Sequence, residues 1–387
     1  MSGIYIHVPF CKSRCIYCDF YSTVLSGDRN LYVDRLLEEA RERTSFCPSD
    51  EPVKTVYIGG GTPSQLPATE LCRLVDGLVR IFDLSHVTEF TLEANPEDIT
   101  AGYASALPSQ INRVSMGVQT FVDNELRILN RRHDSRKPAE AVALLREKAG
   151  IHNISIDLMY GLPEQTLSSF EYSIGKALEL DVQHISAYNL SVEEGTRLDQ
   201  LICDGKLTVA DDELCLAMAS TLREKLGAAG FIQYEISNYA RPGFESRHNS
   251  SYWTGVPYLG LGPGAHSYDG RCLRSWNEPD LRSYLDGQRK SDSENLTPTD
   301  IDNERIMLGL RTRQGFDRTK LQVIQLDETV LDKLKKRGLI ATTSYDNDDE
   351  NGKTNGKTNG NYISLTKKGL ALADEVIREL MVISLNP

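Results

Sequence analysis

The chain has 387 residues, of which 40% are hydrophobic and 25% charged, and its formal net charge is −12. This length predicts one large domain and a smaller one, and the acidic balance argues against a general binder of nucleic acids or anionic membranes. No apolar run reaches the roughly 20 residues of a membrane span, and the N-terminus lacks the regions of a signal peptide, so the sequence predicts a cytoplasmic protein.

The first predicted strand, residues 3–8, leads into a segment in which Cys11, Cys15 and Cys18 are spaced as C-x3-C-x2-C. Because thiols stay reduced in the cytoplasm, this close spacing indicates metal or redox chemistry rather than disulfides. An iron–sulfur cubane is usually held by four thiolates, yet the next residue where a fourth could stand is Phe20. The scattered cysteines are predicted to be small buried residues: Cys47, Cys72, Cys203, Cys215 and Cys272.

Strands and helices then alternate through the first half of the chain. Apolar runs rich in β-branched residues predict buried strands at 3–8, 55–60, 89–94, 113–118, 154–159 and 184–189. Apolar residues three and four positions apart predict helices at 29–45, 67–81, 135–149 and 166–180. This alternation predicts a parallel sheet with right-handed crossovers, and six units fit either a partial barrel or an open doubly wound sheet.

Glycines and polar side chains stand where these strands run into helices. They are the three glycines at 59–61, Glu93, Gln119 and Asp157. In a parallel barrel the strand ends share one face, and active sites are built there. Taken singly, each residue could serve as a tight turn or a capping group. Their joint occurrence beside the cysteines favours an α/β partial barrel with a binding site at this face.

The C-terminal part of the chain has a different pattern. The polar stretch 290–303 is predicted to be a linker, and 346–361 a disordered polar insertion. Two helices, a hairpin and a last helix are predicted at 303–312, 328–339, 340–345, 361–366 and 367–380. We therefore expect a partial barrel at 1–235, a linking segment at 236–296 and a small winged-helix-like α+β domain at 297–387. That domain carries 14 Lys and Arg against 14 Asp and Glu, so we do not expect it to bind DNA.

The cysteine spacing after a first strand, the GGGTP sequence at 59–63 and the strand-end Glu93 resemble the radical S-adenosylmethionine (radical SAM) superfamily. In that superfamily three thiolates hold a [4Fe–4S] cluster, and S-adenosylmethionine binds the fourth iron through its amino and carboxylate groups. The resemblance implies that Cys11, Cys15 and Cys18 are the cluster ligands and that one iron stays open. The cluster then supplies the electron that cleaves the sulfonium, while the protein binds, orients and excludes water.

Longer motifs between residues 3 and 270 resemble the oxygen-independent coproporphyrinogen III dehydrogenases and their relatives. Among them are EANP, RVSMGVQ, DLMYGLPEQT and YLGLGPGAHSY. The dehydrogenases oxidatively decarboxylate two propionates of their substrate. The resemblance implies that S-adenosylmethionine contacts Tyr5, Tyr17, Gly60, Gly61, Thr62, Glu93, Gln119, Arg131 and Asp157 and, with less local similarity, Ser191 and His266.

Two departures separate this chain from the dehydrogenases. Phe20 stands where they have a further cysteine, and only ten residues precede Cys11, where they carry an N-terminal extension. Both features match a sister family, the heme chaperones of the HemW type, whose H-N-x-x-Y-W signature appears as HNSSYW at 248–253. The resemblance implies a protein that binds heme and delivers it to apo-hemoproteins. The alternatives are the dehydrogenase activity and another radical SAM enzyme that acts on a different tetrapyrrole. It also leaves room for a homodimer and for peripheral membrane contact through the recipients.

His248 is the candidate heme ligand in this motif. A lone histidine is more often a hydrogen-bonded structural residue than an axial ligand. Imidazole is nevertheless the commonest proximal heme ligand, and Tyr252 and Trp253 offer flat aromatic area for a porphyrin. We therefore predict that His248 ligates heme from a mobile segment, the alternative being that HNSSYW only closes the barrel by packing.

Overall fold

A computed structural model of the protein describes residues 2–24, 28–46, 52–343 and 361–381. The six predicted strands are confirmed, each end lying within two residues of its expected position. They are β1 (Ser2–Val8), β2 (Val53–Gly60), β3 (Glu89–Ala94), β4 (Arg113–Gln119), β5 (Asn153–Tyr160) and β6 (His184–Asn189). The prediction for Cys47, and that for the polar insertion at 346–361 except its last residue, lie outside the described residues.

Helices follow the six strands along the chain, and they include the four that the apolar spacing predicted. They are α1 (Arg29–Glu42), α2 (Ala68–Ile81), α3 (Ala101–Ser105), α4 (Asp123–Ile128), α5 (Lys137–Ala149), α6 (Leu167–Glu179), α7 (Arg197–Cys203) and α8 (Asp212–Ala228). Asp28 caps α1 by accepting the backbone N–H groups of Asn30 and Leu31. Helices α1 and α2 pack closely at Gly77, which has no Cβ atom. A Cβ atom there would lie only 2.5 Å from a methyl group of Leu37.

The six strands are parallel and follow one another in chain order, so each crossover carries a helix to the same outer side. Ile4 and Ile6 of β1 point into the core shared with these helices, and both are fully buried. Tyr5 and His7 point the opposite way, into the interior of the partial barrel, where Tyr5 packs against Tyr57 of β2. Strands buried on both faces explain why the sequence shows apolar runs rather than strict alternation.

Short strands and helices extend the sheet at both edges. They are β7 (Ile232–Gln233), β8 (Asn238–Ala240), β9 (Tyr258–Leu261), β10 (His266–Tyr268), β11 (Leu273–Asn277) and β12 (Ser291–Asn295), with α9 (Arg247–Trp253) and α10 (Leu281–Leu285). The order across the sheet is β12-β11-β10-β9-β1-β2-β3-β4-β5-β6-β8-β7. Strand β9 runs parallel to β1, whereas β10, β11 and β12 are antiparallel to their neighbours.

In its described residues the C-terminal domain has four helices and a three-stranded antiparallel sheet. These are α11 (Pro298–Leu310), α12 (Glu328–Lys336), α13 (Lys367–Leu370) and α14 (Ala373–Leu380), with β13 (Phe316–Asp317), β14 (Ile340–Thr343) and β15 (Tyr362–Leu365). The sheet order is β13-β15-β14, and the domain has its own apolar core. The prediction of a linker at 290–303 is wrong, because β12 pairs with β11 and Thr297 caps α11 within that stretch.

Candidate functional site

The cysteine segment follows β1 and lies over the C-terminal ends of the parallel strands. It forms one wall of a cavity of about 400 Å³. Twelve of the fourteen residues assigned to the cluster and to S-adenosylmethionine line this cavity: Cys11, Cys15, Cys18, Tyr17, Gly60, Gly61, Thr62, Glu93, Gln119, Arg131, Asp157 and Ser191. The parallel topology therefore brings together residues that are more than 170 positions apart in the chain.

The three thiols are half-buried at this wall. Cys11 Sγ lies 3.4 Å from Thr62 Oγ1, and Arg131 Nη1 donates to Cys15 Sγ at 3.4 Å. Burial raises the pKa of Cys18 to about 11, so iron must displace its proton on binding. Within the described ranges no three His, Cys, Asp or Glu side chains are grouped to hold a single metal ion. A cubane makes a different demand, since each thiolate binds a separate iron.

The glycine turn after β2 forms the floor of the cavity beside the cysteines. Gly60 has a φ of +112°, a conformation that an L-residue rarely adopts, and its N–H donates to Glu93 Oε2 at 3.0 Å. A Cβ atom on Gly61 would lie 3.1 Å from Cys11 Sγ. The turn therefore brings the backbone close to the thiols. Side chains at these positions would fill the space between them.

Two half-buried carboxyl groups, Glu93 and Asp157, face the cavity from the ends of β3 and β5. Burial raises the pKa of Glu93 to about 7, although Tyr57 OH and the Gly60 N–H donate to it. Burial likewise raises the pKa of Asp157 to about 6, against hydrogen bonds and positive charge that stabilise its anion. Near neutral pH both groups can therefore take or release a proton when a cationic ligand arrives.

A strained residue lies at the end of β4, and a chain of hydrogen bonds lies beside it. Gln119 is buried, has a φ of 70° and follows an irregularity in the pairing of β4 with β5, which turns its side chain toward the cavity. Arg131 donates to Asn95 Oδ1 at 2.7 Å, and Asn95 in turn donates to Thr62 at 3.4 Å. Sequence reasoning missed Asn95 as a site residue, although it directly follows Glu93 and Ala94 in the EANP motif.

Two predicted contacts, Tyr5 and His266, do not line the cavity. The Tyr5 hydroxyl is hydrogen-bonded to His7 Nδ1 at 3.0 Å in the barrel interior. His266 lies on β10 in the sheet extension, where its ring stacks on Trp276 with centroids 5.8 Å apart. The structure therefore does not support direct contact of either residue with a ligand in this cavity.

The structure also departs from the expected setting of His248. It lies on helix α9 and is fully buried, with Nδ1 bonded to Thr55 Oγ1 at 2.9 Å and Nε2 to Tyr252 OH at 2.9 Å. Burial lowers the pKa of its imidazole to about 3. Because both ring nitrogens already have partners, neither is open to an iron in this conformation. The structure therefore places His248 at a buried position of helix α9, rather than at the accessible position that the sequence predicts.

The residues of the cavity fit an iron–sulfur cluster with S-adenosylmethionine. Three thiols line the same cavity, and thiolates are the usual ligands of iron–sulfur clusters. The absence of side chains at Gly60 and Gly61 leaves room for a ligand beside the thiols, and the carboxyl groups of Glu93 and Asp157 suit an ammonium group or ribose hydroxyls. Cys11, Cys15 and Cys18 would hold the cluster.

Comparison with known proteins agrees with this geometry. The fold and the cysteine site define a radical SAM protein, and residues 5–177 match the family model of the Radical SAM superfamily. The structure superposes on coproporphyrinogen III oxidase (HemN) from Escherichia coli, described as a radical SAM enzyme, with a TM-score of 0.78 over 98% of this chain and 89% of that one. At 23% identity this likeness shows a shared fold.

Nearer relatives cover almost the whole chain. The heme chaperone HemW of Bacillus subtilis is 36% identical over 88% of this chain and 93% of its own. The heme chaperone HemW of Synechocystis is 37% identical over 84% of this chain and 82% of its own. The chain belongs to the HemW heme chaperone family. None of the helices in the described ranges has both the length and the apolar character needed to cross a bilayer.

Proposed function

We propose that this protein binds heme and delivers it to apo-hemoproteins, on a scaffold that holds a [4Fe–4S] cluster and S-adenosylmethionine. The observation that carries the proposal is the near full-length similarity to HemW heme chaperones, 36% identity over 88% of the chain. The position of Phe20 supports it, because a residue with no thiol stands 67% exposed at the mouth of the cysteine cavity.

Within this proposal Cys11, Cys15 and Cys18 hold the cluster and leave one iron open. When bound, the cluster and S-adenosylmethionine supply one-electron chemistry. The chain itself supplies binding and orientation, since the small residues Gly60 and Gly61 leave room beside the thiols for the methionyl end of S-adenosylmethionine. The remaining proposed contacts follow from the cavity lining: Tyr17, Thr62, Glu93, Gln119, Arg131, Asp157 and Ser191.

The half-buried carboxyls give these contacts a pH dependence. Glu93 accepts from Tyr57 OH at 2.7 Å, which fixes its carboxyl plane beside the Gly60 turn. Because burial raises the pKa of Glu93 to about 7, its anion forms fully only above neutral pH or when a cation pairs with it. A cationic ligand at this wall would therefore release a proton as it binds.

A direct test compares heme transfer with dehydrogenase activity. The protein, reconstituted with iron and sulfide without oxygen, should show a saturable Soret band with hemin and pass the heme to an apo-hemoprotein. The same preparation with reductant, S-adenosylmethionine and coproporphyrinogen III should form no protoporphyrinogen at rates of about 1 s⁻¹ or faster, which are typical of enzymes. Efficient decarboxylation without a saturable heme band would reject the chaperone proposal in favour of the dehydrogenase.

The cluster assignment has its own test. Cys11→Ala, Cys15→Ala or Cys18→Ala should each remove the brown colour and most of the bound iron, because one iron loses its thiolate. Cys203→Ala is the matched control, since Cys203 is an exposed thiol on α7, contrary to its predicted burial. Wild-type iron content in all three variants would refute the assignment.

A further inference from the structure

A second cavity lies between the sheet extension and the C-terminal domain. Its volume is about 880 Å³, more than twice that of the cysteine cavity, and no described residue lines both. Helix α9 and strands β9 to β11 form one side, and α11 with the loop around β13 forms the other. We call this space the interdomain cleft. Its volume is within the range of cavities that bury a ligand of several rings.

Aromatic rings line the side of the cleft that the barrel provides. They belong to Tyr252 and Trp253 of α9, Tyr258 of β9 and Tyr268 of β10. The Tyr252 and Tyr258 rings meet edge to face with centroids 4.7 Å apart, which fixes their orientation. The indole N–H of Trp253 is buried without a hydrogen-bond partner among the described residues. The wall therefore offers flat apolar area and one unused donor.

Basic side chains surround this aromatic wall. Two of them are already paired: Arg274 donates to Glu304 at 2.8 Å, and Arg305 to Asp302 at 3.3 Å. The other two, Arg271 and Lys320, have no side-chain hydrogen bond or ion pair within the described part of the chain. They reach the cleft from opposite sides, one from the sheet extension and one from the C-terminal domain. Both are exposed, so they can move to meet a ligand.

The charge of the cleft differs from that of the whole chain. Among the described residues four basic and two acidic side chains line it, whereas the chain carries a net charge of −12. A ligand that matches this lining is broad, flat and apolar in its body and carries two anionic groups at its edge. Guanidinium and ammonium groups are the usual partners of such carboxylates. Heme, a planar macrocycle with two propionates, has this chemistry.

We propose that the interdomain cleft is the heme-binding site, with the porphyrin against the aromatic wall and the propionates at Arg271 and Lys320. This inference rests on the proposed function, since it places the cargo of that function. In this proposal the two faces of helix α9, which carries HNSSYW, have different roles. His248 points into the barrel and is sealed there, while Tyr252 and Trp253 face the cleft.

The first test uses a native cysteine as a footprint. Cys272 lines the cleft and is half-buried, whereas Cys203 is exposed on α7 and lines neither cavity. The cluster-loaded protein is treated with N-ethylmaleimide before and after saturation with hemin, and labelling is read by mass spectrometry of peptides. Heme should slow the labelling of Cys272 at least several-fold and leave Cys203 unchanged. Equal labelling of Cys272 in protein whose Soret band shows bound heme would overturn the assignment.

The second test reverses the two free charges. In the variant Arg271→Glu/Lys320→Glu the heme dissociation constant should rise on the order of tenfold or more, since each side chain loses a charge-assisted contact. The matched control is Arg80→Glu/Lys148→Glu, which makes the same charge change on exposed faces of α2 and α5. Unchanged affinity in the cleft variant would place heme elsewhere and leave the proposed function intact. A wild-type protein without a saturable heme band would instead reject the proposed function and this inference with it.

Discussion

At the scale of single residues, burial determines the chemistry of Glu93. Its carboxyl group is enclosed between β2 and β3, and the charges that face it are Asp157, which opposes ionisation, and Arg113, which favours it. Tyr57 OH and the Gly60 N–H donate to it. Burial outweighs the donors and raises the pKa to about 7. The folded protein therefore keeps a proton on Glu93 at pH values where the unfolded chain has lost it.

This shift predicts how stability changes with pH. A group whose pKa is raised by folding stabilises the protein below its ordinary pKa, and that contribution is lost as pH rises through the folded value. Replacing Glu93 with Gln removes the titration. The free energy of unfolding of Glu93→Gln relative to wild type should therefore increase between pH 5 and pH 8, as measured by urea unfolding of the iron-free protein.

The control for this series is Glu147→Gln, which changes an exposed carboxylate on α5. Its difference from wild type should stay flat over the same pH range. A flat difference for Glu93→Gln as well would mean that the carboxyl group is hydrated in solution and keeps its ordinary pKa.

His248 gives a second prediction at this scale. His248→Ala removes both hydrogen bonds of a fully buried ring and leaves a cavity beside Thr55 and Tyr252. The expected loss is about 2–4 kcal/mol in the free energy of unfolding. The folded fraction should keep the Soret maximum of the wild type. His152→Ala, at an exposed position, should change neither quantity. A shifted Soret band at unchanged stability would return His248 to the role of heme ligand.

At the scale of elements, local patterns predicted what local forces determine. The six parallel strands and their helices were predictable because apolar runs and helical spacing lie within single segments. Helix α9 was not predictable in this way. Its first N–H groups donate to the carboxylate of Glu89, which lies 158 and 159 residues away in the chain. The polar sequence of strand β12 predicts a linker, whereas in the structure its five exposed residues are held by pairing with β11.

The residues of the candidate site were likewise predictable only where local motifs determine them. Motifs located the residues that line the cysteine cavity, because the ends of parallel strands must meet on one face. Motifs did not reveal that His248 is sealed by Thr55 and Tyr252, nor that His266 stacks on Trp276 in a sheet extension. Those outcomes depend on contacts between distant segments. The interdomain cleft was also beyond sequence reasoning, since its two sides belong to different domains.

The C-terminal domain offers a prediction about one helix. Asp302 of α11 is fully buried, and its carboxylate accepts the backbone N–H groups of Gln322, Val323 and Ile324. Asp302→Ala leaves these donors without a partner, so we expect a loss of about 2–4 kcal/mol in the stability of the domain. Hydrogen exchange of the peptide that contains them should accelerate. Asp300→Ala instead removes the carboxylate that accepts the Thr297 N–H in the capping box of α11 and should cost about 1 kcal/mol. Equal effects of the two variants would contradict this reasoning.

At the scale of the whole molecule, the two cavities are separated by the packed interior of the barrel. Glu93 at the cysteine cavity accepts from Tyr57, and the Tyr57 ring stacks on His248 with centroids 5.1 Å apart. His248 is hydrogen-bonded to Tyr252, which lines the interdomain cleft. This row of contacting side chains connects the two cavities, although no described residue lines both of them. The proposed cluster site and the proposed heme site therefore have different residues on one scaffold.

This separation predicts that each site can be removed without the other. The triple variant Cys11→Ser/Cys15→Ser/Cys18→Ser should lose its iron–sulfur absorbance and still bind hemin with a dissociation constant within about twofold of the wild type, because distant sites contribute nearly independently. The reciprocal control is Arg271→Glu/Lys320→Glu, which should keep its full iron and sulfide content while heme binding weakens. Both are measured by anaerobic hemin titration with iron analysis, and circular dichroism checks that each variant is folded. A folded triple variant that no longer binds hemin would show that the cysteine segment itself forms part of the heme site.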